Sequence, residues 1–446
     1  MKQNLILLFI GSVLGATVDV NDPQAIAKAH QSAAANLMSY YKPNDKGTIP
    51  PKESEGRDGF QWFEMGMLWG AMNEFTNLTK DDRYFQTIGK ALENAGHGNH
   101  HSFIGPKVNG KWKTAGFWND DIGWWSFGAI SASEINGANA VMSNGVSYLT
   151  LAKTTWEQMN EQVSNQGSTC SGGVFWYRDR NSNQPNRARL LSTISSLQYA
   201  FLSARLYFVT GEKSYLDAAI RTYSWLFNAK LVTAQGQVFD GTYSPRCWQI
   251  EAKEHSYNSG LFLGVSGLLY KATGDDKYMK NAKTVLNRAQ TIFADKNGII
   301  IDECEPSKSC KVNQAAFKGI FLRGLAYLYS STKEESIRSP IKGMITSSVN
   351  GMVKTCSDSW ACNNIWTPDA KVYSDVHTQN TALELFNTYS VILGKSTTVA
   401  PEPPKNSTNN GTTVNEDDCY EEIEISDSLR IAPLFFVALS VSFLLF

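Results

Sequence analysis

The chain has 446 residues, 42% of them hydrophobic and 19% charged, with a formal net charge of -1 at pH 7. That is enough apolar material for one large domain or two to three average ones, and the near-neutral balance gives no electrostatic reason for a nucleic-acid partner. Its 12 Trp, 18 Tyr and 22 Phe are a high aromatic load for so few charges, which suits neutral stacking ligands such as carbohydrate, although large cores use the same residues.

Residues 1–16 pair a single charge, Lys2, with an apolar run too short to span a bilayer and small residues at Gly15 and Ala16. They are predicted to be a cleaved secretory signal. From there two kinds of helical run alternate. One kind is rich in Gly, Ala, Leu and aromatics on most faces, over about 60–76, 120–136, 189–209, 256–272, 313–330 and 375–392. The other is amphipathic, as in 213–228, 276–293 and 337–353. Helices apolar all round belong inside, and half-polar ones outside.

The turns between them repeat. Thr79-Lys80-Asp81-Asp82-Arg83-Tyr84, Thr210-Gly211-Glu212-Lys213-Ser214-Tyr215 and Thr273-Gly274-Asp275-Asp276-Lys277-Tyr278 share one form, and Ser147-Tyr148 keeps the phase. The tyrosines at 84, 148, 215 and 278 are therefore separated by 64, 67 and 63 residues. A folded region of 20–394 divided by a period of about 65 gives close to six helical hairpins. The expected fold is all-α, an (α/α)6 barrel with six inner and six outer helices. Turns from inner to outer helix are short, whereas the return loops at about 97–119, 165–188, 231–255, 295–312 and 357–374 are long. Long structured loops are usually functional, and these all lead to the N-termini of the inner helices.

Polar and aromatic residues converge there. The candidate sugar-binding residues are Trp62, Glu64, Trp118, Asn119, Trp124, Trp125, Tyr257, Asn258, Gln314 and Lys318, with Arg187, Arg189, Asn313, His377 and Gln379 at equivalent helix starts. For any single Asn or Asp the competing reading is a helix cap. Asp120 and Asp121 are different, because one cap needs one carboxylate and these two sit among Trp118, Trp124 and Trp125. Three other adjacent pairs, Asp81-Asp82, Asp275-Asp276 and Asp417-Asp418, lie among charged and polar neighbours and read as solvated turns. Glycoside cleavage requires one carboxyl to protonate the leaving oxygen and another to attack the anomeric carbon or activate water. Neighbours on a helical turn point about 100° apart, which puts their carboxyls on the order of 5–7 Å from each other. That range reaches the roughly 5–5.5 Å of a retaining enzyme. A helix N-terminus favours one ionised carboxylate, while apolar walls keep the other protonated. Trp124 and Trp125 face different directions, so at least one is expected in the core, and Trp118 is the better sugar platform.

Seven cysteines in a secreted chain argue for disulfides. Cys304 and Cys310, like Cys356 and Cys362, are close enough in sequence to close small loops, which leaves Cys170 with Cys247; other pairings remain open. Sequons occur at Asn77, Asn406 and Asn410. No Cys/His spacing resembles a zinc site, and no metal or cofactor is expected. Residues 395–430 read as a polar, glycosylated stalk with an attachment region. The apolar run 431–446 reads as a glycolipid-anchor signal, a tail-anchored span being the alternative.

Five motifs in order carry a resemblance. They are Gln61-Trp62-Phe63-Glu64-Met65-Gly66, Trp118-Asn119-Asp120-Asp121, Cys170-Ser171-Gly172-Gly173-Val174-Phe175-Trp176, Tyr257-Asn258-Ser259-Gly260 with Thr273-Gly274-Asp275, and Phe317-Lys318-Gly319-Ile320-Phe321-Leu322-Arg323. Together, over 20–394, they resemble glycoside hydrolase family 76, in particular its fungal cell-wall branch of glycolipid-anchored endo-1,6-alpha-mannosidases. The resemblance implies an (α/α)6 fold, retaining chemistry on alpha-1,6-mannosides without a metal, Asp120 as nucleophile and Asp121 as acid/base. For that branch it further implies an alpha-mannan or GPI-core glycan donor, a beta-glucan acceptor, and a monomer secreted and anchored at the outer membrane face or in the wall. Asn313-Gln314 stands where the family usually has Asp-Gln. Residues 187–196 replace a Lys-Asn-rich segment, and Ser259 replaces a commoner Gln. These departures bear on the substrate more than on the reaction. The competing functions are a non-catalytic mannan-binding or structural wall protein, which the presence of both aspartates opposes, and a zinc-dependent enzyme on the same barrel, whose ligands are missing.

Overall fold

A computed structural model describes residues 18–49, 60–368 and 374–398. The expected signal, Asn406, Asn410 and the anchor tail lie outside the described residues. In chain order the helices are α1 (Pro23–Ser39), α2 (Trp62–Thr79), α3 (Phe85–Ala95), α4 (Asn119–Asn136), α5 (Tyr148–Asn160), the short α6 (Gly167–Cys170) and α7 (Pro185–Arg189), α8 (Thr193–Thr210), α9 (Lys213–Asn228), α10 (Ser256–Thr273), α11 (Lys277–Ile292), α12 (Phe317–Ser331), α13 (Glu335–Met352) and α14 (Val376–Ile392).

Six of these form a closed ring, α2 against α4, α4 against α8, α8 against α10, α10 against α12, α12 against α14, and α14 back against α2. The other long helices lie outside, with α1 closing on α14. The fold is thus the (α/α)6 barrel, and the two helix types separate as their composition dictates. Every residue of α8 from Thr193 to Leu206 is buried. On α11 only one stripe is buried, Tyr278, Met279, Ala282, Val285, Leu286 and Ala289, at the spacing of one helical face. Small residues let inner helices approach closely. A Cβ on Gly324 of α12 would lie 1.8 Å from the Gly260 carbonyl oxygen of α10, so backbone rests on backbone there.

The repeated turns have one construction. Thr79, Thr210 and Thr273 each donate their hydroxyl to the carbonyl four residues back and accept the amide two residues on. The next residue is left-handed, with φ of 59° at Lys80, 74° at Gly211 and 73° at Gly274, which frees the chain to reverse into the outer helix.

The far end of the barrel is closed by buried charge. Arg205 pairs with Glu134 and Arg323 with Glu384. The Tyr327 hydroxyl donates to Glu74 at 2.6 Å, and Thr398 adds a bond to the same oxygen at 2.8 Å. The folded region therefore continues through Thr398, beyond the expected boundary at 394, because Thr398 is part of this buried network. Three disulfides join Cys170 to Cys247, Cys304 to Cys310 and Cys356 to Cys362.

One element departs from the all-α expectation. The strands β1 (Leu190–Ser192), β2 (Phe239–Tyr243) and β3 (Arg246–Glu254) form a small antiparallel sheet in order β1-β2-β3. It occupies the long return loops, so α8 begins at Thr193 rather than about 189. Arg187 and Arg189, expected at the first turn of an inner helix, instead sit exposed on the separate α7.

Candidate active site

The start of α4 is fastened by a loop from the next repeat. The Asn119 amide donates to Trp176 O at 2.9 Å, its Nδ2 donates to Phe175 O at 2.7 Å, and its Oδ1 accepts Arg178 Nη1 at 2.6 Å. Gln198 of α8 donates to the Asp120 carbonyl at 3.1 Å. A Cβ on Gly123 would fall 2.3 Å from that glutamine's Oε1, so the missing side chain is what admits it.

Asp120 and Asp121 follow in the first turn and are half-buried. Their surroundings differ. Asp120 Oδ2 accepts the Trp176 indole N–H at 2.9 Å, and the amides of the helix start also favour its charged form. Burial pushes Asp120 up, these donors pull it down, the nearby Asp240 adds repulsion, and the result is about 6. Among the described residues Asp121 has no such donor. Burial first, then the charge of Asp120, holds it well above the usual carboxylate range. The pair therefore loses its first proton from Asp120.

Tyr257 of α10 and Asp240 of β2 complete this side. The Tyr257 hydroxyl donates to Asp240 Oδ1 at 3.2 Å and Asn258 Nδ2 donates to the same atom at 3.0 Å. Both Asp120 and Asp240 act electrostatically on Tyr257. Trp118 stacks obliquely with Trp176 and Tyr177, at centroid distances of 6.1 and 5.0 Å. Trp62 lies 6.4 Å from Phe117. Trp62, Trp118, Tyr257 and Gln314 all keep some exposed surface, although Gln314 Oε1 is engaged by the Lys311 amide at 2.7 Å.

The other expected sugar contacts are buried. Trp125 is fully enclosed, its Nε1 donating to Trp62 O at 3.0 Å, and Trp124 packs edge-on against Phe127. Both lie more than one turn into α4, where a Cβ on Gly66 of α2 would meet the Trp125 amide at 2.4 Å. Asn119 is engaged by its three bonds, whereas Asn258 gives Nδ2 to Asp240 and keeps a buried Oδ1 with no hydrogen-bond partner among the described residues. Glu64 is buried against His377 at 3.3 Å and caps the Gln61 amide. Lys318 is buried in an ion pair with Glu305, over the ring of Trp366. These side chains tie the ends of the inner helices to their neighbours.

Burial alone would lower His377, yet Asp375 and Glu64 outweigh it and raise it to about 9. Asp302, buried beside Ser256, Lys318 and Glu305, is pushed up to about 7, chiefly by burial. Reading the sequence singled out neither Asp240 nor a role for Trp176. Trp176 closes one of the five motifs, whereas Asp240 is a lone acid on β2 with no local signal.

Residues 25–400 match the model of glycosyl hydrolase family 76. The chain is 28% identical over 358 residues to mannan endo-1,6-alpha-mannosidase DCW1 of Saccharomyces cerevisiae, covering 78% of this chain and 75% of that one. It is 27% identical over 374 residues to its Candida albicans namesake, covering 81% and 78%. Among solved structures, Dfg5 from Chaetomium thermophilum in complex with glucosamine superposes with a TM-score of 0.72 at 20% identity, covering 85% of this chain and 93% of that one. Another is an inactive variant of the alpha-1,6-mannanase GH76A of Salegentibacter sp. HEL1_6 in complex with alpha-1,6-mannotriose, in which two neighbouring aspartates are replaced by asparagine. It gives a TM-score of 0.66 at 16% identity, covering 82% and 99%.

Proposed function

Since the chain belongs to glycosyl hydrolase family 76 and is a glycosidase, we propose that it cleaves alpha-1,6-linked mannose with retention, through Asp120 as nucleophile and Asp121 as acid/base. The observation that carries this is the unequal setting of the two carboxyls. Asp120 ionises first because Trp176 and the helix amides stabilise its charge, and Asp121 keeps its proton because only burial and a like charge act on it. In the first step Asp121 gives its proton to the glycosidic oxygen while Asp120 bonds to the anomeric carbon and the leaving glycan departs. In the second, Asp121 takes a proton from an incoming hydroxyl, which displaces Asp120 and restores the original anomer. Trp118 and Trp62 offer ring faces to the sugar, and Tyr257 with Asp240 borders the reacting centre.

The incoming hydroxyl is water in hydrolysis and a sugar hydroxyl in transfer. The relatives named above are mannan endo-1,6-alpha-mannosidases, which supports a mannan-like donor. We place the protein outside the cell, with a GPI-core glycan as donor, a beta-glucan as acceptor and a lipid anchor added near its C-terminal tail. No helix among the described residues is long and apolar enough to cross a membrane. The test is turnover of alpha-1,6-mannotetraose by the native protein and by Asp121→Asn. Loss of about 10²–10⁴ in kcat with an unchanged melting curve is expected, and unchanged turnover overturns the assignment. Adding a beta-glucan oligosaccharide separates the outcomes, a coupled product meaning transfer and free mannose oligosaccharide in both reactions meaning hydrolysis.

A further inference from the structure

A cavity of about 520 Å³ lies between the return loops, lined by Gln166, Gly167, Arg180, Arg189, Ser244 and Pro245. Its wall is stitched to the aspartate pair through a short path. The Trp176 amide donates to Leu190 O at 2.8 Å, and the Ser244 amide donates to Arg189 O at 2.9 Å. The same Trp176 holds Asp120. Arg180 is four residues beyond Trp176, so its Cα lies within about 14 Å of it even if the chain is fully extended. The wall is also rigid. The Ser244 hydroxyl donates to Gln166, the Cys170–Cys247 bond ties the two loops together, and the Arg180 guanidinium sits over the Phe175 ring at 3.2 Å from its centroid.

The chemistry of this cavity is one-sided. Among the described residues two guanidiniums line it and no carboxylate does. Arg180 Nη1 is buried without a hydrogen-bond partner among the described residues. Arg189 is exposed and, among the described residues, spends only Nε on protein, donating to Pro185 O at 3.3 Å. Burial lowers Arg180 to about 10, with Asp179 beside it in sequence pulling the other way, and at that value the group is still charged at neutral pH. Guanidinium N–H groups without protein partners favour an oxyanion that can accept several N–H bonds at once, which a phosphate ester does and a neutral sugar hydroxyl does not.

We propose that this cavity is a subsite for a phosphate ester carried on the glycan donor, with Arg180 and Arg189 as its anion-binding pair. The inference rests on the reading of the neighbouring cleft as a mannoside site, and it makes the enzyme selective for anionic over neutral glycans.

Calorimetry on the full-length protein tests it with three probes: mannose, mannose 6-phosphate and inorganic phosphate. Mannose 6-phosphate is expected to bind at least about tenfold more tightly than mannose, roughly 1.4 kcal/mol, and this preference is expected to vanish in Arg180→Gln/Arg189→Gln. Arg189→Gln alone, on an exposed side chain, gives an intermediate loss and guards against misfolding of the double variant. Equal preference in native and double-variant proteins overturns the proposal. So does inorganic phosphate binding as tightly as mannose 6-phosphate, which means a free-anion site unconnected to the glycan. If neither neutral nor phosphorylated mannotetraose is cleaved yet the arginine-dependent preference holds, the subsite stands and the catalytic reading falls.

Discussion

At the scale of single residues, neighbouring carboxyls of the same type are made unequal by what donates to them. That inequality predicts a bell-shaped pH dependence of kcat/KM. Activity rises as Asp120 loses its proton near about 6 and falls at higher pH when Asp121 loses its own; the two limbs belong to the pair as a unit. Two variants move the acid limb in opposite directions. Trp176→Phe removes a donor that stabilises ionised Asp120 and shifts the limb to higher pH, whereas Asp240→Asn removes a repelling charge and shifts it lower. Full pH profiles of both variants check this, and a shared direction contradicts the electrostatic account. The Asp120-Asp121 pair was legible in sequence because its aromatic setting differs from that of Asp81-Asp82 and Asp275-Asp276. Indole proximity in sequence, however, does not say which way an indole points. Trp124 and Trp125 face the ring of helices, and Trp176, 56 residues from Asp120, is the one that touches it. Asp240 reaches the site only because β2 crosses the loop cluster, a tertiary event with no local periodicity.

At the scale of elements, the inner and outer helices were readable from composition, since burial on every face forbids charge and burial on one face demands a stripe. The Thr-Gly turns were readable too, each glycine marking a left-handed residue. The sheet was not. β3 exposes most of its residues, including Trp248 at 70%, and so lacks the alternation that betrays a half-buried strand. Its position is set by pairing to β2 and by the Cys170–Cys247 bond. Inner-helix contact carries its own prediction. Gly324→Ala drives a methyl into the Gly260 carbonyl across the α10–α12 seam, where both neighbours are backbone and cannot turn aside. Overpacking of this kind costs about 1–3 kcal/mol or more, and denaturant unfolding should show a lower midpoint for Gly324→Ala. Gly343→Ala, on the open face of α13 with nothing within 4 Å of the added atom, should not lower it.

At the scale of the whole molecule, the ring has a seam where α14 meets α2, and an ion pair crosses it. His377 on α14 faces Glu64 on α2, and both Glu64 and Asp375 raise its pKa to about 9. A histidine raised above its unfolded value of 6.5 contributes stability fully below that pH and loses it as pH rises through about 9. Stability against denaturant is therefore expected to decline between about pH 6.5 and 9 in the native protein and to decline less in His377→Gln, as unfolding midpoints across that range will show. The seam joins the first helices to the last. His30 of α1 bonds Asn387, the Tyr389 hydroxyl donates to Val20 O, and Asn77 at the end of α2 donates to Ser396 O. Time enters here, because a ring sewn from its two ends cannot close while the chain is still being made. The partner of Asn77 is 319 residues downstream, on the order of 15–60 s at ribosomal rates of about 5–20 residues per second. Until Ser396 is made, the Asn77 side chain lacks this partner, which leaves its sequon open for longer than a contact made within one hairpin would.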